Sequence, residues 1–160
     1  MKESVNFHSK DERMYVSIPS SELNRMYQYC SNSNPYETGG ILIGYYSSSC
    51  DTAVVTEVTG QPSNSKQTFT RFFRSSTNLV PLLNSRWPSG KYYLGEWHYH
   101  PNSSPMPSVI DERTIKACAI NKRLKCPEPL LIIVGGNSTS GWKLYCGVVL
   151  NKNLISLSQD

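Results

Sequence analysis

A chain of 160 residues is one domain by length and can bury roughly 70% of the surface its unfolded form exposes. Its hydrophobic share of 38% and charged share of 18% are those of a soluble globular protein, not of a disordered or membrane-spanning one. The net charge of +4 is mild, and the lysines and arginines are scattered, so the basic stripe of a nucleic-acid binder is missing.

Residues 1–12 are polar and expected to be a flexible N-terminus, leaving a single domain over 13–160. No apolar stretch follows Met1 and no segment approaches ~20 apolar residues, so neither a signal peptide nor a membrane span is expected. Met14 to Ile18 reads as a short strand. A helix follows Pro19, with Leu23, Met26, Tyr27 and Cys30 at i, i+3, i+4 and i+7. Ser31 to Pro35 is a loop by composition, Thr38 to Tyr46 a buried strand, and Ala53 to Thr59 a strand rich in Val and Thr. Gln61 to Ser65 reads as a loop, Phe69 to Phe73 as a strand, and Leu79 to Leu83 as a short helix. After the turn Pro88-Ser89-Gly90, Tyr92 to His98 is a strand. Asn102 to Met106 is a loop, and a helix opens at Pro107 and runs to about Asn121. Leu130 to Val134 and Trp142 to Leu150 are the last strands, with Gly135-Gly136-Asn137 and Ser140-Gly141 as turn residues between them. Strands outnumber interspersed helices, so the class is α/β or α+β with a mixed sheet.

The chemistry concentrates in Trp97-His98-Tyr99-His100-Pro101 and the following Pro107-Ser108-Val109-Ile110-Asp111. Side chains alternate along a strand, so His98 and His100 share a face. Residues three apart on a helix share a face, so Ser108 and Asp111 look the same way. Two imidazoles, one carboxylate and one hydroxyl result, and three protein ligands plus water is the pattern of a catalytic zinc site. An aspartate in a first helical turn is favoured in its ionised form by the helix dipole; the competing reading is that Ser108 and Asp111 only cap the helix. Other metal folds fit worse. There is no H-E-x-x-H helix, no H-x-E with a later P-C-x-x-C, no length for a TIM barrel and no third downstream histidine for a cupin. The five cysteines (Cys30, Cys50, Cys118, Cys126 and Cys146) form no C-x-x-C pair. That favours reduced thiols and a cytoplasmic location over disulfides or a thiolate cluster.

The spacing H-x-H-x7-S-x-x-D resembles the JAMM motif of the MPN (Mov34/Jab1) metalloprotease family. The string Glu37-Thr38-Gly39-Gly40-Ile41-Leu42-Ile43-Gly44 is similar to that family's E-x-G-G-x-L-x-G signature. The likeness spans roughly Met14 to Leu150. It implies an MPN/JAB domain, a mixed curved β-sheet flanked by helices and related to the cytidine-deaminase-like fold. It further implies one zinc ion held by His98, His100 and Asp111, with Glu37 as general acid/base and Ser108 as hydrogen-bond donor to the developing oxyanion. Zinc lowers the pKa of bound water towards ~7, where a carboxylate can complete the deprotonation. Tyr99 departs from the Ser or Thr common between the two histidines, but alternation turns it away from the metal. Glu96 falls on the metal-side face, either orienting a ligand or meeting solvent.

The implied activity is an isopeptidase or peptidase cutting after the C-terminal residue of a ubiquitin-like protein. The compact domain is similar to the bacterial branch, above all to the deconjugating peptidases of CBASS antiphage operons. By that likeness the partners are the C-terminal tail of a ubiquitin-like protein or of a cGAS-like nucleotidyltransferase and its conjugates, together with the activating and conjugating enzymes of the same operon. Neither nucleic acid nor membrane is implied. Trimming of a ubiquitin-like or sulfur-carrier C-terminus and a non-catalytic MPN scaffold remain the alternatives; the intact ligand set weighs against the scaffold.

Overall fold

The computed structural model describes residues 3–60 and 79–160. The loop expected over Gln61 to Ser65 and the strand over Phe69 to Phe73 lie outside them. In chain order the strands are β1 (Ser4–His8), β2 (Tyr15–Pro19), β3 (Gly39–Tyr46), β4 (Thr52–Val58), β5 (Tyr92–Pro101), β6 (Leu130–Asn137), β7 (Gly141–Leu150) and β8 (Asn153–Gln159). The helices are α1 (Ser20–Ser33), α2 (Leu79–Arg86) and α3 (Val109–Ile120). The strands form one sheet in the order β1-β2-β4-β3-β5-β6-β7-β8, which closes on itself. The β2–β4 and β5–β6 pairs are parallel and the rest antiparallel, so the mixed sheet expected from sequence is present.

Two differences concern the ends of the chain. The first twelve residues are not simply frayed: Ser4–His8 pair with β2 on one side and reach β8 on the other. Phe7 anchors them by inserting into the core, and His8 pairs with Asp160. The strand β8, not anticipated from sequence, buries only Leu157 fully, and its other apolar side chains are too exposed to give a clear alternation. A third difference is local. Gly135, Gly136 and Asn137 belong to β6, because Gly136 pairs with Pro101 and Trp142, and the turn falls on residues 138–140 instead.

The central strands are apolar on both faces, which explains runs such as Ile41-Leu42-Ile43 and Leu130 to Val134. Leu42, Trp97, Tyr99, Leu130, Ile132 and Val134 pack with Leu23, Met26 and Cys30 of α1. Ile41, Ile43, Tyr93, Leu131 and Ile133 pack with Leu79 of α2 and Ile115 of α3. Period-two alternation thus divides one sheet between two cores. Arg86 closes α2 onto β4 through a two-pronged contact with Glu57, Nε at 2.7 Å and Nη2 at 2.9 Å. No helix among the described residues is long and apolar enough to cross a membrane.

Candidate metal centre and active site

The strand β5 lies between β3 and β6 at the middle of the sheet. Trp97 and Tyr99 point to the α1 side and are fully buried. Alternation therefore sends Glu96, His98 and His100 to the other side, where α3 starts. That helix begins at Val109, two residues later than the opening at Pro107 expected from sequence. Ser108 is the N-cap and Pro107 stands outside, because the Ser108 side chain accepts the Asp111 N–H at 3.0 Å. Asp111 in turn accepts the Ser108 N–H at 2.8 Å, completing a capping box. The capping expected of Ser108 and Asp111 is therefore present, and the same carboxylate also reaches the histidines.

Asp111 is buried and meets both histidines. Its Oδ1 lies 3.0 Å from His98 Nδ1 and its Oδ2 lies 3.1 Å from His100 Nε2. The outer nitrogen of each ring also faces an acceptor: His98 Nε2 is 3.4 Å from Glu96 Oε2, and His100 Nδ1 is 3.2 Å from the Ser104 carbonyl oxygen. Glu96 meets the histidine and not solvent, and its second oxygen accepts the Cys118 thiol at 3.3 Å. Sequence reasoning raised Glu96 from strand alternation; the Ser104 carbonyl, a backbone group, carries no residue-type signal.

Glu37 precedes β3, whose antiparallel register sets Gly39 opposite His98. The Tyr99 N–H donates to the Thr38 carbonyl at 2.8 Å, so Glu37 falls beside the end of β5 that carries His100. Its carboxylate is exposed, yet close enough to favour the charged form of His100. The two glycines after it let backbones approach. A Cβ on Gly39 would stand 2.4 Å from the Trp97 carbonyl oxygen, and one on Gly40 would stand 1.7 Å from that of Thr59.

The electrostatics follow from these contacts. Burial pushes the Asp111 carboxyl up, but hydrogen bonds from His100, His98 and the Ser108 N–H hold it well below the usual carboxylate range. Burial opposes a charge on His98, but hydrogen bonds to Asp111 and Glu96 lift its imidazole to about 9. The Asp111 hydrogen bond lifts His100 as well, against the effect of burial.

Among the described residues, no three His, Cys, Asp or Glu side chains already surround one point as metal ligands would. The imidazoles and the carboxylate instead touch one another. Their chemistry nonetheless fits a divalent ion. Two imidazoles and one carboxylate are a hydrolytic zinc donor set. The outer nitrogens face Glu96 Oε2 at 3.4 Å and the Ser104 carbonyl oxygen at 3.2 Å, the kind of neighbour that orients metal-ligating histidines. An ion entering between them would displace the protons now shared with Asp111.

The chain resembles known proteins in sequence and in fold. The family profile for prokaryotic homologs of the JAB domain matches residues 19–145. A protein named CD-NTase/cGAS isopeptidase from Enterobacter hormaechei subsp. hoffmannii is 41% identical over 144 residues, covering 90% of this chain and 80% of that one. A probable metalloprotease y4qB from Sinorhizobium fredii is 29% identical over 125 residues, 76% of each chain. In fold, the solution structure of protein DSY2949 from Desulfitobacterium hafniense matches with a TM-score of 0.63 at 17% identity, covering 91% of this chain and 89% of that one. This chain belongs to the prokaryotic JAB-domain family.

Proposed function

We propose that this chain is a zinc-dependent isopeptidase. It cuts the bond between the C-terminal residue of a CD-NTase/cGAS-like nucleotidyltransferase and the protein to which that residue is conjugated. The reaction would serve a bacterial antiphage conjugation system in the cytoplasm. The family and the activity named for the 41% identical relative support the substrate class. The observation that carries the chemistry is the pair of histidines meeting the two oxygens of Asp111, with Glu96 and the Ser104 carbonyl facing their outer nitrogens.

His98, His100 and Asp111 would hold the ion. When bound, it would supply Lewis acidity that polarises the scissile carbonyl and acidifies water. Glu37 takes a proton from the attacking water and returns it to the leaving amine. Being exposed, its carboxylate is free to meet both. The Ser108 Oγ already accepts the Asp111 N–H, so its own proton is left to donate to the oxyanion of the tetrahedral intermediate. Glu96 and the Ser104 carbonyl keep the histidines in place. Tyr36, Met106, Val109 and Ile110 flank Glu37, Ser108 and Asp111 in the chain and are solvent-exposed, an apolar rim suited to a protein substrate.

The test is cleavage of a nucleotidyltransferase of this class carrying a protein fused through its C-terminal residue. Zinc-loaded wild type should cut at that junction, and Glu37→Gln should keep zinc but lose at least about 100-fold in kcat. Equal turnover by Glu37→Gln would overturn the mechanism. Cleavage only of a ubiquitin-like or sulfur-carrier fusion would overturn the substrate.

A further inference from the structure

Tyr99 stands between the two histidines, faces away from them and is fully buried against α1. A buried tyrosine needs only one partner for its hydroxyl. Tyr99 has two: it donates to the Gly136 carbonyl at 2.9 Å and accepts from Asn34 Nδ2 at 2.8 Å. The second partner is the informative one. Asn34 is solvent-exposed and could have been satisfied by water, yet its amide is committed here and to Asn102 Oδ1 at 3.1 Å. Asn137 Nδ2 donates to that same oxygen at 3.0 Å. Asn34 also ends α1, its N–H donating to the Cys30 carbonyl. Four residues on, the Thr38 carbonyl accepts the backbone N–H of the same Tyr99 at 2.8 Å. The segment from Asn34 to Thr38 is therefore tied at both ends to one residue of the ligand strand, and Glu37 lies within the span.

We infer that Tyr99 is a positioning residue, which with Asn34 pins the Glu37 loop to β5 and sets where the Glu37 carboxylate stands relative to the histidine pair. The inference rests on the role proposed for Glu37, but the restraint on the loop is a property of the protein with or without metal. The tie is suited to its place. The hydroxyl leaves the core on the side opposite the metal-side face, so it fixes the loop without entering the site.

The experiment uses the full chain as wild type, Tyr99→Phe, Asn34→Ala and the double variant. Tyr99→Phe keeps the ring, and the Gly136 carbonyl retains the Asn102 N–H at 3.0 Å, so the core stays filled and paired. Amide hydrogen exchange of the metal-free proteins is read at Tyr36, bonded to the Ser33 carbonyl, and at residue 99, bonded to the Thr38 carbonyl. Both amides should exchange about tenfold faster in each single variant, the effect of losing the Asn34–Tyr99 hydrogen bond that both variants lack, with β7 unchanged. With zinc, metal content and KM should hold while kcat falls about tenfold, because a displaced base costs rate and not binding. The double variant should be no worse than either single one. Exchange at wild-type rates in both single variants, or kcat losses that add in the double variant, would overturn the inference. If wild type cleaves no conjugate, the proposed function fails and the exchange measurement still decides the restraint.

Discussion

His98 is the residue on which most of the centre's electrostatics converge, lying between the carboxylates of Glu96 and Asp111. Its pKa in the folded, metal-free protein is about 9, above the roughly 6.5 of an unfolded histidine. Its contribution to stability is therefore fully present below pH ~6.5 and is lost as pH rises through about 9. In chelator, the difference in Tm between wild type and His98→Asn should shrink or reverse across that window. A difference that grows with pH would contradict the assignment. Zinc competes for the same nitrogens, so loading at neutral pH should release protons, measurable as an ionisation-dependent heat in buffers of different enthalpy. Glu96 acts through His98. Glu96→Gln should weaken zinc binding about 10- to 100-fold in a competition titration, the usual effect of losing a carboxylate behind a ligating histidine. Unchanged affinity would mean that Glu96 only fills space.

At the scale of elements, the strand β5 and the start of α3 were legible because their chemistry rides on short periodicities. A spacing of two put His98 and His100 on one face, and a spacing of three put Ser108 next to Asp111. The helix starts at Val109 and not at Pro107, two residues on, since proline suits the first turn by residue type while the actual cap depends on a side-chain hydrogen bond. The strands β1 and β8 were not legible. Each buries a single residue, Phe7 and Leu157, and pairs chiefly with its sequence neighbour, β1 with β2 and β8 with β7, so neither carries an apolar alternation long enough to read. The Asn34–Tyr99 tie joins residues 65 apart and leaves no local pattern. The double glycine after Glu37 was legible as a motif, and the structure supplies its cause in the Thr59 and Trp97 carbonyls. Gly40→Ala should force β3 away from its neighbours, with a destabilisation of about 3 kcal/mol or more in denaturant unfolding. Wild-type stability would mean that the backbone at Thr59 yields freely.

Over the whole molecule, closure of the sheet brings the two ends of the chain together, with His8 on Asp160 and β1 along β8. The same closure buries thiols. Cys30, Cys118, Cys126 and Cys146 are buried and Cys50 is exposed, all five of them free. Burial also raises Cys30 to about 12 and Cys126 to about 11, which removes the reactive thiolate. Native protein should therefore take up one alkyl group from iodoacetamide, at Cys50. Rapid labelling of the other four would contradict the closed sheet. The fold also separates tasks: one core carries Tyr99 and holds the Glu37 loop from behind, while the other face gathers Glu96, His98, His100 and Asp111 at the start of α3. On the proposed function, this face is a metal centre of two imidazoles and one carboxylate. X-ray absorption at the zinc edge of the loaded protein tests it most directly. The expected result is one zinc per chain with nearest neighbours of nitrogen and oxygen at about 2.0–2.2 Å and the more distant scattering of two imidazoles. Sulfur scattering at about 2.3 Å, or an imidazole signal that persists in His98→Asn/His100→Asn, would contradict it.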